Sequence, residues 1–126
     1  MRTILIHAQD QELSTAWATY LSKAGAAVFT STDSLEAAEI ISMVNIDSII
    51  ISSDNPATFL FLGRELRSKR RLANIVTVTR IPHATLELLM ETRNFVTLDK
   101  RFTFSRLREI TLDAQTKPEV IQNVFV

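Results

Sequence analysis

The sequence predicts an α/β domain built on a doubly wound, five-stranded parallel sheet. Three observations carry that prediction. Five short apolar runs alternate strictly with five segments of helical apolar spacing, the pattern of βα units. One run, Ile49-Ile50-Ile51, is apolar without alternation, as in a central parallel strand buried on both faces. The length, 126 residues, suits one hydrophobic core.

Ile4, Leu5 and Ile6 form the first strand, which empties into polar residues His7 to Gln11. Asp10 is placed to cap a helix carrying Leu13, Trp17, Tyr20, Leu21 and Ala24, and Gly25 supplies its left-handed stop. Ala26 to Thr30 gives the second strand. Asp33 with Glu36 makes a capping-box start to a helix reaching about Met43. Ile46 to Ser52 is the third strand, followed after Pro56 by a helix to about Arg71. Ile75 to Thr79 is the fourth, with Pro82 in the first turn of the fourth helix. Phe95 to Leu98 is the fifth, and a helix from about Thr103 to Ala114 closes the series. These elements define a domain over residues 1–115. Residues 116–126, with Val120, Ile121, Val124, Phe125 and Val126 after Pro118, read as an apolar tail or the start of a linker.

Composition removes several function classes. A hydrophobic share of 46% with 22% charged residues is that of a globular domain rather than a disordered chain. Fourteen basic residues balance fourteen acidic ones, so no global field gathers nucleic acid or anionic membrane. Nucleic acid is not the expected partner. The absence of cysteine excludes disulfides, thiolate metal sites and cysteine nucleophiles. No apolar run approaches the roughly 20 residues of a membrane span, and there is no signal-peptide pattern. The expected location is cytoplasmic. With only Gly25 and Gly63, neither nucleotide fingerprint, GxGxxG or GxxxxGK[ST], is present.

Five landmarks fall in order along the chain: Ile4 to Asp10, Asp47 to Ser52, Pro56, Ile75 to Thr79, and Lys100-Arg101-Phe102. In this order and spacing the chain resembles the receiver domain of two-component response regulators over about residues 3 to 112. The resemblance implies a flavodoxin-like (βα)5 fold with strand order 2-1-3-4-5. It also implies a pocket at the carboxyl ends of the strands. There, Ala8 and Gln9 stand where the family has its magnesium-binding acidic pair, and Ser52 where it has the phospho-accepting aspartate. Thr79 and Lys100 are the retained hydroxyl and amine. Arg80 replaces a small residue, Thr97 replaces a switch aromatic, and the proline of a Lys-Pro-Phe signature has become Arg101.

The chemistry this leaves is thin. Phosphoryl transfer to a carboxylate needs a metal held by hard oxygen ligands, and Ala8 offers none while Gln9 offers a neutral one. No metal or other cofactor is expected. Ser52 has no evident neighbouring base to generate an alkoxide. Asp54 is acidic and close to the pocket, and the bland expectation is that it caps or turns the loop before Pro56. Asp10 is likewise expected at a helix cap. A sharper expectation gathers Arg80, Asp54, Asp10 and Lys100 into a fixed polar cluster in place of metal and phosphate. The basic run Arg64, Arg67, Lys69, Arg70 and Arg71 reads first as a solvated helix face, and His7 and His83 lack metal-ligand company.

The functional expectation is a pseudo-receiver, a non-catalytic signalling domain acting by protein–protein contact without aspartyl phosphorylation. Alternatives are a divergent phosphoacceptor using Asp54 and Asp10, and a small-ligand sensor at the strands' carboxyl ends. The resemblance places a partner or homodimer surface on the fourth helix, fifth strand and fifth helix, at Leu86, Leu89, Met90, Thr97, Phe104 and Leu107.

Overall fold

A computed structural model of the chain describes residues 1–99 and 101–112. Lys100, the expected last turn at Ala114 and the tail from 116 to 126 lie outside the described residues. Five strands, β1 (Thr3–Ala8), β2 (Ala27–Ser31), β3 (Ser48–Ser52), β4 (Asn74–Val78) and β5 (Phe95–Thr97), alternate with α1 (Gln11–Lys23), α2 (Ser34–Met43), α3 (Pro56–Ser68), α4 (His83–Met90) and α5 (Phe104–Thr111). All strand pairs are parallel, in the order β2-β1-β3-β4-β5. This is the expected doubly wound sheet.

The isoleucine run shows how the sheet divides the core. Ile49 and Ile51 pack with Leu5, Ile41, Phe59, Leu62 and Leu86 on the side covered by α2, α3 and α4. Ile50 packs with Ile4, Ile6, Trp17, Leu21 and Leu107 under α1 and α5. A strand's side chains alternate between faces, so three consecutive isoleucines feed both layers. Trp17 is buried beside Phe102 at 5.5 Å between ring centroids, and Tyr20 lies 4.9 Å from Phe104, so both aromatics of α1 serve packing between α1 and the α5 end of the domain.

Helix ends follow the local chemistry. Asp10 Oδ1 accepts from the Glu12 and Leu13 amides at 3.0 and 3.2 Å. Asp33 Oδ1 accepts from Glu36 N at 2.8 Å while Glu36 Oε1 reaches back to Thr32 N at 3.3 Å, a capping box shifted by one residue. Gly25 takes the left-handed stop after α1 at φ 105°. α3 ends three residues before the expected Arg71, because Arg70 turns left-handed at φ 54°.

The basic run is more than a solvated face. Neither α2 nor α4 carries a basic residue in its own last turn. The end of α3 supplies both: Arg71 Nε donates to Ile41 O at 2.9 Å and Nη2 to Ser42 O at 3.4 Å, and Arg67 donates to Met90 O and pairs with Glu91 at 3.6 Å. The guanidinium groups meet carbonyls left unpaired at helix C-termini and oppose the negative end of each dipole. Arg64, Lys69 and Arg70 are exposed.

Candidate functional site

β1, β3 and β4 end side by side, with Ala8 opposite Ser52 and Ser52 opposite Val78. The sheet register thus brings Ala8, Ser52 and the residue after Val78, Thr79, to one rim. Ala8 is fully buried and presents a methyl group; Gln9 is exposed; Ser52 is half-buried.

Asp54 does not cap the following helix. Asn55 does, its Oδ1 accepting from Ala57 N at 3.0 Å, and Ser53 Oγ takes the Asn55 amide at 3.0 Å. With those tasks filled, the Asp54 side chain reaches the β4 loop. Its Oδ1 accepts from the Arg80 amide at 2.7 Å and from Thr79 Oγ1 at 3.2 Å, and its Oδ2 lies 3.7 Å from Arg80 Nε. Thr79 Oγ1 in turn accepts from Ile81 N at 3.1 Å. The expectation that Asp54 caps the helix after Pro56 is corrected on this geometry, because Asn55 is the better-placed cap; Asp54 lies in the bend before it and makes the expected pair with Arg80. Asp10, also expected in the cluster, commits Oδ1 to the start of α1.

This donor set does not fit a magnesium ion, which asks for octahedral oxygen ligands and favours carboxylates. Ala8 supplies a methyl group, Gln9 a neutral amide, Asp10 a carboxylate used in capping, and Asp54 a carboxylate already holding two hydrogen bonds and an arginine. Among the described residues no group of three or more His, Cys, Asp or Glu side chains is placed to hold a metal.

The expected interaction surface is corrected in its membership. Leu86, Met90 and Leu107 are core residues, 0%, 1% and 0% exposed, and Leu89 is half-buried against the same core. Short amphipathic helices spend their apolar positions on the sheet, so these side chains are not available to a partner. Thr97 is exposed, and Phe104 keeps 41% of its surface. Leu88 at 79% and Val96 at 40% exposure belong to this side of the molecule and escaped the sequence reading.

Thr97 also closes a network that sequence spacing did not reveal. Its Oγ1 lies 3.0 Å from Thr77 Oγ1 and 3.1 Å from His83 Nδ1. The His83 ring stacks on Phe95 at 4.4 Å and its Nε2 is 3.4 Å from Glu87. A histidine from α4 therefore supplies the ring over β5 at the point where the resemblance expects an aromatic on the strand itself.

His7, at the other side of the rim, is buried on β1 with Nδ1 2.9 Å from Ser31 Oγ. Burial lowers its pKa below the ordinary 6.5, against the upward pull of Asp33 and Glu36.

No family model matches the sequence, and no curated protein does. Solved structures match along most of the chain. Chemotaxis protein CheY4 of Vibrio cholerae is similar with TM-score 0.73 at 20% identity, over 86% of this chain and 94% of that one. The response regulator TrrA of Thermotoga maritima, solved with magnesium and beryllofluoride, gives 0.67 at 22% over 86% and 95%. The receiver domain of a sensor histidine kinase from Pseudomonas aeruginosa, solved with magnesium in its cleft, gives 0.66 at 21% over 87% and 93%. The chain has the fold of response-regulator receiver domains.

Proposed function

We propose that this chain is a pseudo-receiver: a non-catalytic signalling domain that works by protein–protein contact without aspartyl phosphorylation. The observation that carries the reading is the carboxylate of Asp54 bound to the Thr79 hydroxyl, the Arg80 amide and the Arg80 guanidinium. An anion-binding rim needs free donors, and here an internal anion holds the Thr79 hydroxyl, the Arg80 amide and the Arg80 guanidinium. The second support is chemical: Ala8 and Ser52 stand where a phosphorylatable pocket needs carboxylates. A divergent acceptor at Asp54 would have to break this network and gather a metal without an acidic pair.

The partner surface follows from what is left exposed. β5 is an edge strand with Val96 and Thr97 exposed, and Leu88 on α4 is exposed as well, while Phe104 on α5 keeps part of its surface beside Tyr20 of α1. Apolar side chains at a sheet edge favour contact with another protein chain. No helix among the described residues is long and apolar enough to cross a membrane.

Incubation with magnesium and a small-molecule phosphodonor, read by intact mass, tests the reading. The expected mass is unchanged. Addition of one phosphoryl group, absent from an Asp54→Asn variant, would overturn it.

A further inference from the structure

The chain is neutral as a whole but not in its parts. Positions 1–60 hold two basic and seven acidic residues and positions 61–126 twelve basic and seven acidic, so the parts carry net −5 and +5. Part of this separation falls on one side of the sheet, where α2 exposes Glu36 and Glu39 and the end of α3 exposes Lys69 and Arg70.

The acidic surface is the open face of α2. Leu35, Glu36, Glu39 and Met43 project together at helical spacing, and Leu35 and Met43 are 76% and 77% exposed. Two large apolar side chains interleaved with two carboxylates give a helix a second amphipathic face, opposite the one it buries through Ala37 and Ile41. The basic surface lies where α3 ends. A groove of about 420 Å³ there is lined by Leu66, Ile75 and Met90 below and by Arg67, Arg70 and Leu72 at its rim. Leu72 is fully exposed. Arg70 holds the left-handed position just beyond the helix, where glycine or asparagine is favoured. Lys69 adds a further cation, while Arg67 and Arg71 are held to the neighbouring helices.

We propose that the acidic, apolar face of α2 in one copy docks on the basic groove at the end of α3 in a second copy. Charge and polarity match on both sides: glutamates meet Arg70 and Lys69, and Leu35 and Met43 meet Leu72 and the groove. Nucleic acid fits less well, because a phosphate backbone offers nothing to the apolar floor and Leu72. A foreign acidic segment would find the groove already matched by a face that every copy carries. α2 and α3 are neighbours bridged by Arg71, so both surfaces lie on the same side of the sheet. That placement lets a two-fold contact use each surface twice. The inference is independent of the phosphorylation reading and concerns a surface apart from β5.

Sedimentation of the full chain over a concentration series tests it, at ionic strengths of about 0.01 M and about 1 M, where the Debye length is roughly 30 and 3 Å. Concentration-dependent association is expected at low salt and its loss at high salt. Arg70→Glu and Glu39→Lys should each be monomeric with wild-type circular dichroism, since both positions are exposed. Mixed in equal amounts they should associate again, because each variant then offers the charge the other lacks. A wild-type chain that stays monomeric at low salt, association that survives either reversal, or a mixture that stays monomeric would overturn the proposal.

Discussion

The Asp54 carboxylate joins the end of β3 to the loop after β4 by accepting the Arg80 amide at 2.7 Å. The bond holds two adjacent strand ends in one arrangement without any ligand. Asp54→Ala removes the acceptor for that amide and for the Thr79 hydroxyl, and the side chains are half-exposed, so water replaces part of what is lost. A loss of about 1 kcal/mol is expected by chemical denaturation, with faster amide exchange confined to Thr79, Arg80 and Ile81.

Arg71 ties α3 to the C-terminus of α2 through two carbonyls, and its Nη1 lies 3.4 Å from Asn45 Oδ1. Arg71→Ala should destabilise the fold by roughly 1–2 kcal/mol, more than an exposed ion pair contributes. Arg71→Lys should restore little of it, because one ammonium cannot reproduce a planar fork reaching three acceptors. Thermal melts of both variants check the ordering.

Gly63 lets α3 approach α4: a Cβ there would stand 2.9 Å from Met90 Cα and 3.2 Å from its Cβ. Helix propensity alone favours alanine at such a site by about 1 kcal/mol. Backbone contact outweighs it, since α4 must shift as a whole, and overpacking of this kind costs about 1–3 kcal/mol. Gly63→Ala is expected to lower the melting temperature; an increase would mean that α4 yields freely.

His7 makes stability depend on pH. Its folded pKa is lowered by burial, so both states are neutral above 6.5 and its stabilising contribution is complete there. As pH falls, the unfolded chain takes up the proton first, and stability is lost as pH falls through the folded value. The melting temperature should therefore drop on going from neutral to mildly acidic solution, and His7→Gln should flatten that slope.

The fold was legible because its signals are local and repeated. Caps at Asp10 and Asp33, the stop at Gly25 and the isoleucines of β3 state element type and burial directly, and alternation of strand and helix limits the topology. The surface was less legible, because apolar residues at helical spacing, such as Leu86, Met90 and Leu107, look alike whether they face the sheet or a partner. The Asp54–Arg80 contact was anticipated as part of a polar cluster, but the cap of α3 was not legible: Asp-Asn-Pro offers two residues able to cap it, and spacing does not say which is left over. The roles of Arg67 and Arg71 depend on helix-end carbonyls 23 and 30 positions away, a relation no window along the sequence contains.

On the proposed function, Asp54 fixes by an internal contact the rim at which a receiver would be phosphorylated. Titration of the purified domain with magnesium and beryllofluoride, followed by amide shifts in NMR, tests it most directly. No saturable response is expected at Thr79, Arg80 or Ile81 at millimolar magnesium, in the native chain or in Asp54→Ala. Saturable shifts at those residues in the native chain, abolished by Asp54→Ala, would contradict it and make the domain a working receiver with a displaced acceptor.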